Sequence, residues 1–112
     1  MSKRITHLLL EDILDAANKI LKYTEGLTYE DFYNDNKSID AVCRNFEIIG
    51  EAANQLPDDF REQNDSIDWF RIRGFRNRII HEYFGVDIQI LWNIKENQIP
   101  ELIREISKIT GQ

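Results

Sequence analysis

Arg76, Asn77 and His81 bring three side-chain types suited to phosphate chemistry into six consecutive positions. Arginine offers a planar fork that grips two phosphate oxygens, and histidine titrates close enough to neutrality to serve as base or acid. Cleaving a phosphodiester without a metal needs both functions. A cation must meet the charge developing on the phosphorane, and other groups must carry protons from and to the ribose oxygens. On an ideal helix Asn77 and His81 are neighbours at a spacing of four, so the amide can orient the imidazole or add a phosphate contact. Tyr83 follows Arg76 by seven positions, nearly two turns, and shares its face. Arg71, Arg73, Arg76 and Arg78 fall in eight positions that contain no acid. The chain as a whole has 20 acids against 14 lysines and arginines, a net charge of −6. A local basic site in an acidic protein marks Arg71, Arg73 and Arg78 as candidate RNA contacts beside the reacting groups.

The same residues also have a plainer interpretation. A single histidine near a helix end is commonly a hydrogen-bonded packing residue, and a run of arginines is commonly a solvated face paired with acids. Tyr83 and Phe84 are, by default, core or interface aromatics, and spacing alone leaves both interpretations open. His7, set among leucines, reads as a packing residue. No second histidine or acid pair stands at ligand spacing near His81, so neither a metal nor another cofactor is expected. The negative charge argues against broad, sequence-independent nucleic-acid binding, which draws its affinity from many basic side chains. With no helix-turn-helix pattern and no broad basic face, DNA is not an expected ligand.

The elements that would hold these residues are helical. Ile5, Leu8, Leu9, Ile13, Ala16, Ala17, Ile20 and Leu21 recur at spacings of three and four, one face of a long helix that Gly26 stops. Thr28-Tyr29-Glu30-Asp31 has the form of a capping box that opens a short helical turn. After the polar run 34–38, with Ser38 or Asp40 as the cap, Val42, Phe46, Ile49, Ala53 and Leu56 write a second helix. Pro57 ends it or begins a short turn through Phe60. A third helix is expected from Trp69 to Phe84. Gly74 inside it costs roughly 1 kcal/mol relative to alanine and is expected to mark a close helix crossing. Gly85 should close this helix and Asp87 cap the last one. That last helix carries Ile88, Leu91, Ile94, Leu102, Ile103, Ile106 and Ile109, with Pro100 expected to kink or restart it. No segment alternates long enough to form a sheet. The expected fold is all-α, a four- to five-helix up-and-down bundle making one domain over residues 1–112.

With 42% apolar residues in 112, the chain can bury one core of ordinary size. Cys43 is the only cysteine, which excludes an intrachain disulfide and fits a reducing, cytoplasmic location. The run Leu8-Leu9-Leu10 is too short and too closely flanked by His7 and Glu11 for a signal peptide or membrane span.

The segment Arg76-Asn77-Arg78-Ile79-Ile80-His81-Glu82-Tyr83 has the form R-N-x-x-x-H-x-Y. It resembles the signature of the HEPN superfamily ribonucleases, in particular the HepT toxins. Glu11-Asp12-Ile13-Leu14, the block from Ala41 to Ala53, and His81-Glu82-Tyr83-Phe84-Gly85-Val86-Asp87 followed by Trp92 also look like that family's blocks, so nearly the whole chain is covered. The resemblance implies a HEPN-like helical domain that forms a homodimer, with the two motifs meeting at the interface as a metal-independent endoribonuclease site. It implies Arg76, Asn77 and His81 as the cleavage residues. It further implies a nucleotidyltransferase antitoxin that transfers AMP to Tyr83. A twofold pair supplies a second His81 without a second motif, and transesterification by the ribose 2′-hydroxyl benefits from a base and an acid on opposite sides of the phosphate. The competing reading is a non-catalytic partner subunit that presents a nucleotide or substrate to a nucleotidyltransferase. The same basic cluster would serve it by holding a nucleotide phosphate.

Overall fold

The long periodic segments form the two longest helices, and local hydrogen-bonding groups decide where most of the elements begin and end. The computed structural model describes the backbone of residues 3–82 and 88–111, and the side chains of residues 4–75 and 88–111. Seven helices lie in this part: α1 (Lys3–Thr24), α2 (Tyr29–Tyr33), α3 (Asn36–Gln55), α4 (Asp58–Gln63), α5 (Trp69–Glu82), α6 (Ile88–Asn97) and α7 (Ile99–Thr110). Among the described residues there is no strand, and the fold is an all-α, HEPN-like bundle. The helices outnumber the four or five expected because the short turns after Thr28 and Pro57 are helices in their own right, and because Pro100 restarts the last one. Pro100 falls in the first turn of α7, where its missing N–H has no intrahelical partner to lose.

Gly26, at φ 77°, takes the left-handed conformation that ends α1, and Leu27 N–H donates to Thr24 O (3.0 Å). Thr28 then closes the expected capping box. Asp31 N–H donates to Thr28 Oγ1 (3.1 Å), and Thr28 N–H donates to Asp31 Oδ2 (3.0 Å). The cap of α3 is Asp35, in place of the expected Ser38 or Asp40. Its carboxylate accepts from Ser38 Oγ (2.7 Å) and Ser38 N–H (3.3 Å). The Ser38 hydroxyl, followed by its amide, therefore holds the Asp35 pKa below the ordinary carboxylate value. At its other end α3 is closed by Arg61 of α4, whose Nη1 donates to Ala53 O (3.0 Å) and Leu56 O (2.5 Å) while Nη2 pairs with Asp58.

Helix α3 lies between α1 and α5, with α7 against α1 and α2 bridging α3 and α6. The core residues expected on α3, Val42, Phe46, Ile49, Ala53 and Leu56, are all buried. On α1 the buried face is rotated towards Leu10 and Leu14, leaving Ile5 and Leu8 about half exposed. Trp92 of α6 stacks at a tilt on Phe32 (ring centroids 5.3 Å apart) and edge-on to Tyr29 (6.0 Å), which pins α2 to α6. Lys95, almost buried, sets its ammonium over the Trp92 ring and pairs with Glu96 (2.9 Å). Among the described residues no helix is long and apolar enough to cross a membrane. Gly85 and Asp87, expected to close α5 and cap α6, lie outside the described residues.

Candidate active site on helix α5

Helix α5 begins where Asp68 accepts a hydrogen bond from Arg71 N–H (3.1 Å), the contact of an N-capping side chain. Trp69, Ile72 and Phe75, three apart, form the stripe that enters the core. Trp69 donates from Nε1 to Asn64 O (2.9 Å) and packs against Phe60. Phe75 meets Phe46 of α3 edge-on, with centroids 5.2 Å apart and planes at 77°. These contacts seat the first half of α5. The backbone then continues as helix through positions 76, 77, 78 and 81.

Arg76, Asn77, Arg78 and His81 are therefore all borne by one helix. Their side chains, and Tyr83 altogether, lie outside the described residues. At about 100° per residue, positions 77 and 81 fall on one stripe, while position 76 is about 140° around the helix from position 81. The stripe through 77 and 81 runs back through positions 74 and 70, opposite the buried Ile72.

Of the candidate RNA contacts with described side chains, Arg71 and Arg73 are both exposed but differ in their partners. Arg71 lies 3.6 Å from Asp68 and lines a small cleft with Glu101 and Glu105, an acidic setting. Arg73 donates from Nε and Nη2 to the neutral Asn54 Oδ1 (3.1 and 2.9 Å), a contact that orients the guanidinium without cancelling its charge. Asn54, nineteen positions away on α3, has no signal in the local sequence. Gly74 does not mark a close crossing: a Cβ built there meets nothing within 4 Å among the described residues. Phe70, 90% exposed, breaks the rule that large aromatics are buried. It was legible in the sequence as an aromatic off the Trp69, Ile72, Phe75 spacing.

The other chemically able side chains are accounted for elsewhere. His7 is exposed on α1 and pairs with Glu11 (3.0 Å). Cys43 is a buried core residue whose pKa is pushed up to about 12, first by burial and then by the nearby charges of Asp40 and Glu47, so it is inert as a nucleophile. Among the described residues no group of three or more His, Cys, Asp or Glu is placed to hold a metal ion.

Comparison with known proteins covers most of the chain. The family of HepT-like ribonucleases matches residues 13–109. A candidate RNase of Methanocaldococcus jannaschii is 40% identical over 106 residues, 95% of this chain and 97% of that protein. A probable ribonuclease HepT of Thermococcus cleftensis is 40% identical over 100 residues, 89% of this chain and 91% of that protein. A candidate RNase of Caldanaerobacter subterraneus is also 40% identical, over 89% of each chain. No solved structure matches. With the family model matching residues 13–109 and relatives 40% identical over about nine-tenths or more of both chains, the chain belongs to the HepT-like ribonuclease family.

Proposed function

We propose that this protein is a metal-independent endoribonuclease, the toxin of a toxin–antitoxin pair, acting in the cytoplasm as a homodimer. The observation that carries the reading is the complete R-N-x-x-x-H-x-Y segment in a HepT-like chain, with Arg76, Asn77 and His81 all borne by α5. In the proposed reaction a histidine takes the proton from a ribose 2′-hydroxyl and the oxygen attacks the adjacent phosphorus. The 5′-oxygen leaves with a proton from the second histidine, giving a 2′,3′-cyclic phosphate and a 5′-hydroxyl end. Arg76 meets the phosphorane charge, and Asn77, one turn from His81, positions the imidazole or a phosphate oxygen.

Twofold pairing supports this division of labour. A single chain offers one candidate histidine in this segment, and its positions 76 and 81 diverge around the helix. An isologous interface would supply both groups twice around one scissile bond. Adenylylation of Tyr83 by a nucleotidyltransferase antitoxin would set a phosphodiester and a bulky adenosine beside Arg76, which silences the site without any long-range change.

The test uses purified protein with an intact mass free of AMP. It should cleave cellular RNA in excess EDTA and leave cyclic phosphate ends, and Arg76→Ala and His81→Ala should each lower the rate by roughly 10²–10⁴-fold. Co-expression with an adjacent nucleotidyltransferase should add AMP to Tyr83 and abolish cleavage. Wild-type protein that cleaves no RNA, or cleavage indifferent to both substitutions, rejects the reading in favour of a non-catalytic partner subunit.

A further inference from the structure

We propose that Phe70 is a stacking platform for an unpaired nucleobase of the RNA substrate, with Arg73 holding the adjoining phosphate. This inference rests on the ribonuclease reading and specifies the substrate as single-stranded. Phe70 is 90% exposed, while the neighbouring Trp69 and Ile72 occupy the core stripe, so its ring has no packing role in the described fold. Four positions on, Gly74 carries no side chain, and among the described residues nothing lies within 4 Å of where a Cβ would stand. A ribose and base can thus lie against the helix between Phe70 and the next turn. The same stripe reaches positions 77 and 81, about 10 Å and about 16 Å along the axis from position 70. One face of α5 therefore carries Phe70, Gly74 and the positions of Asn77 and His81 in sequence, with Arg76 off that face.

Charge favours RNA over a second copy of this chain as the occupant. Arg73 lies beside Phe70 with its charge uncancelled, oriented by the neutral Asn54, whereas Arg71 is paired with Asp68. A twofold contact centred on Phe70 would bring Arg73 towards its own mate, whereas a phosphate backbone meets it with opposite charge. The net charge of −6 adds a further reason. A protein that cannot bind RNA through a broad basic surface needs affinity that does not come from counterion release, and base stacking on an aromatic ring supplies it. Stacking needs a base with an open face, which single strands, loops and bulges present and duplexes do not.

The experiment measures binding of a short, mixed-sequence, fluorescein-labelled RNA to the full chain carrying His81→Ala, which prevents turnover. Phe70→Ala should weaken binding of the single strand about tenfold or more, Phe70→Trp should preserve it, and Phe70→Leu should fail to rescue it. Phe70→Ala should leave the salt dependence unchanged, while Arg73→Gln should reduce the slope of log affinity against log salt by about one. The same RNA annealed to its complement should bind weakly and ignore Phe70. Equal affinity of Phe70→Ala and the parent overturns the proposal, as does rescue by leucine or absence of RNA binding. A loss of dimer mass in sedimentation on Phe70→Ala also overturns it and assigns the ring to a second copy. His81-dependent cleavage by the wild type that is unaffected by Phe70→Ala sinks this inference alone. Absence of His81-dependent cleavage sinks the ribonuclease reading beneath it.

Discussion

Replacing Phe75 by leucine should destabilise the protein without unfolding it, and the loss should trace largely to one contact. Phe75 is 2% exposed and meets Phe46, 1% exposed, edge-on at 5.2 Å. Truncation to alanine would also open a cavity, at about 3–5 kcal/mol, a large share of the roughly 5–15 kcal/mol that holds a domain folded. Leucine keeps most of the apolar volume. What remains is the edge-to-face term, about 0.5–1.5 kcal/mol, and an imperfect fit costing less than about 1.5 kcal/mol. The expected sum is about 0.5–3 kcal/mol. A double-mutant cycle with Phe46→Leu, followed by urea unfolding and far-UV circular dichroism, separates the two terms. The coupling energy should be about 0.5–1.5 kcal/mol with an unchanged denaturant slope. Coupling indistinguishable from zero would refute the idea that this pair anchors α5, and with it the account of how the candidate site is seated on α3.

Arg61→Met keeps the apolar stem but strips the donors from Ala53 O and Leu56 O, and should cost about 1.5–3 kcal/mol in urea unfolding. Asp58→Asn should cost less than about 0.5 kcal/mol, because that carboxylate is 89% exposed; equal losses would mean that the ion pair, and not the cap, is what matters. Cys43, held as a thiol to about pH 12, should resist iodoacetamide at neutral pH and react only on unfolding. Its sign follows from the raised value: the preference for the folded thiol is complete below the ordinary thiol value of 9.0 and is lost as pH rises towards about 12. Rapid labelling of native protein at pH 7 would contradict the buried placement.

The sequence alone determined whatever depends on neighbours within a turn or two. The three-and-four spacing wrote α1 and α3. Gly26 and the Thr28–Asp31 box marked ends that rest on hydrogen bonds between residues three apart, and Pro100 marked a kink or restart that the structure realises as the start of α7. The R-N-x-x-x-H-x-Y segment was legible because its residues are close in the chain, and the family that it suggested is the one whose model matches. Tertiary structure decided what depends on a distant partner. Periodicity placed Ile5 and Leu8 on the apolar face of α1 as well as it placed Leu9 and Ile13, but burial depends on what packs against the helix, and these two stay about half exposed. Gly74 reads in sequence as a crossing point, yet among the described residues nothing lies within 4 Å of where its Cβ would stand. The unlike settings of Arg71 and Arg73 arise from residues on α7 and α3 that no local pattern connects to them. Hydrogen bonds within a helix act over a few residues, whereas the surroundings of each side chain are set by packing between segments far apart along the chain.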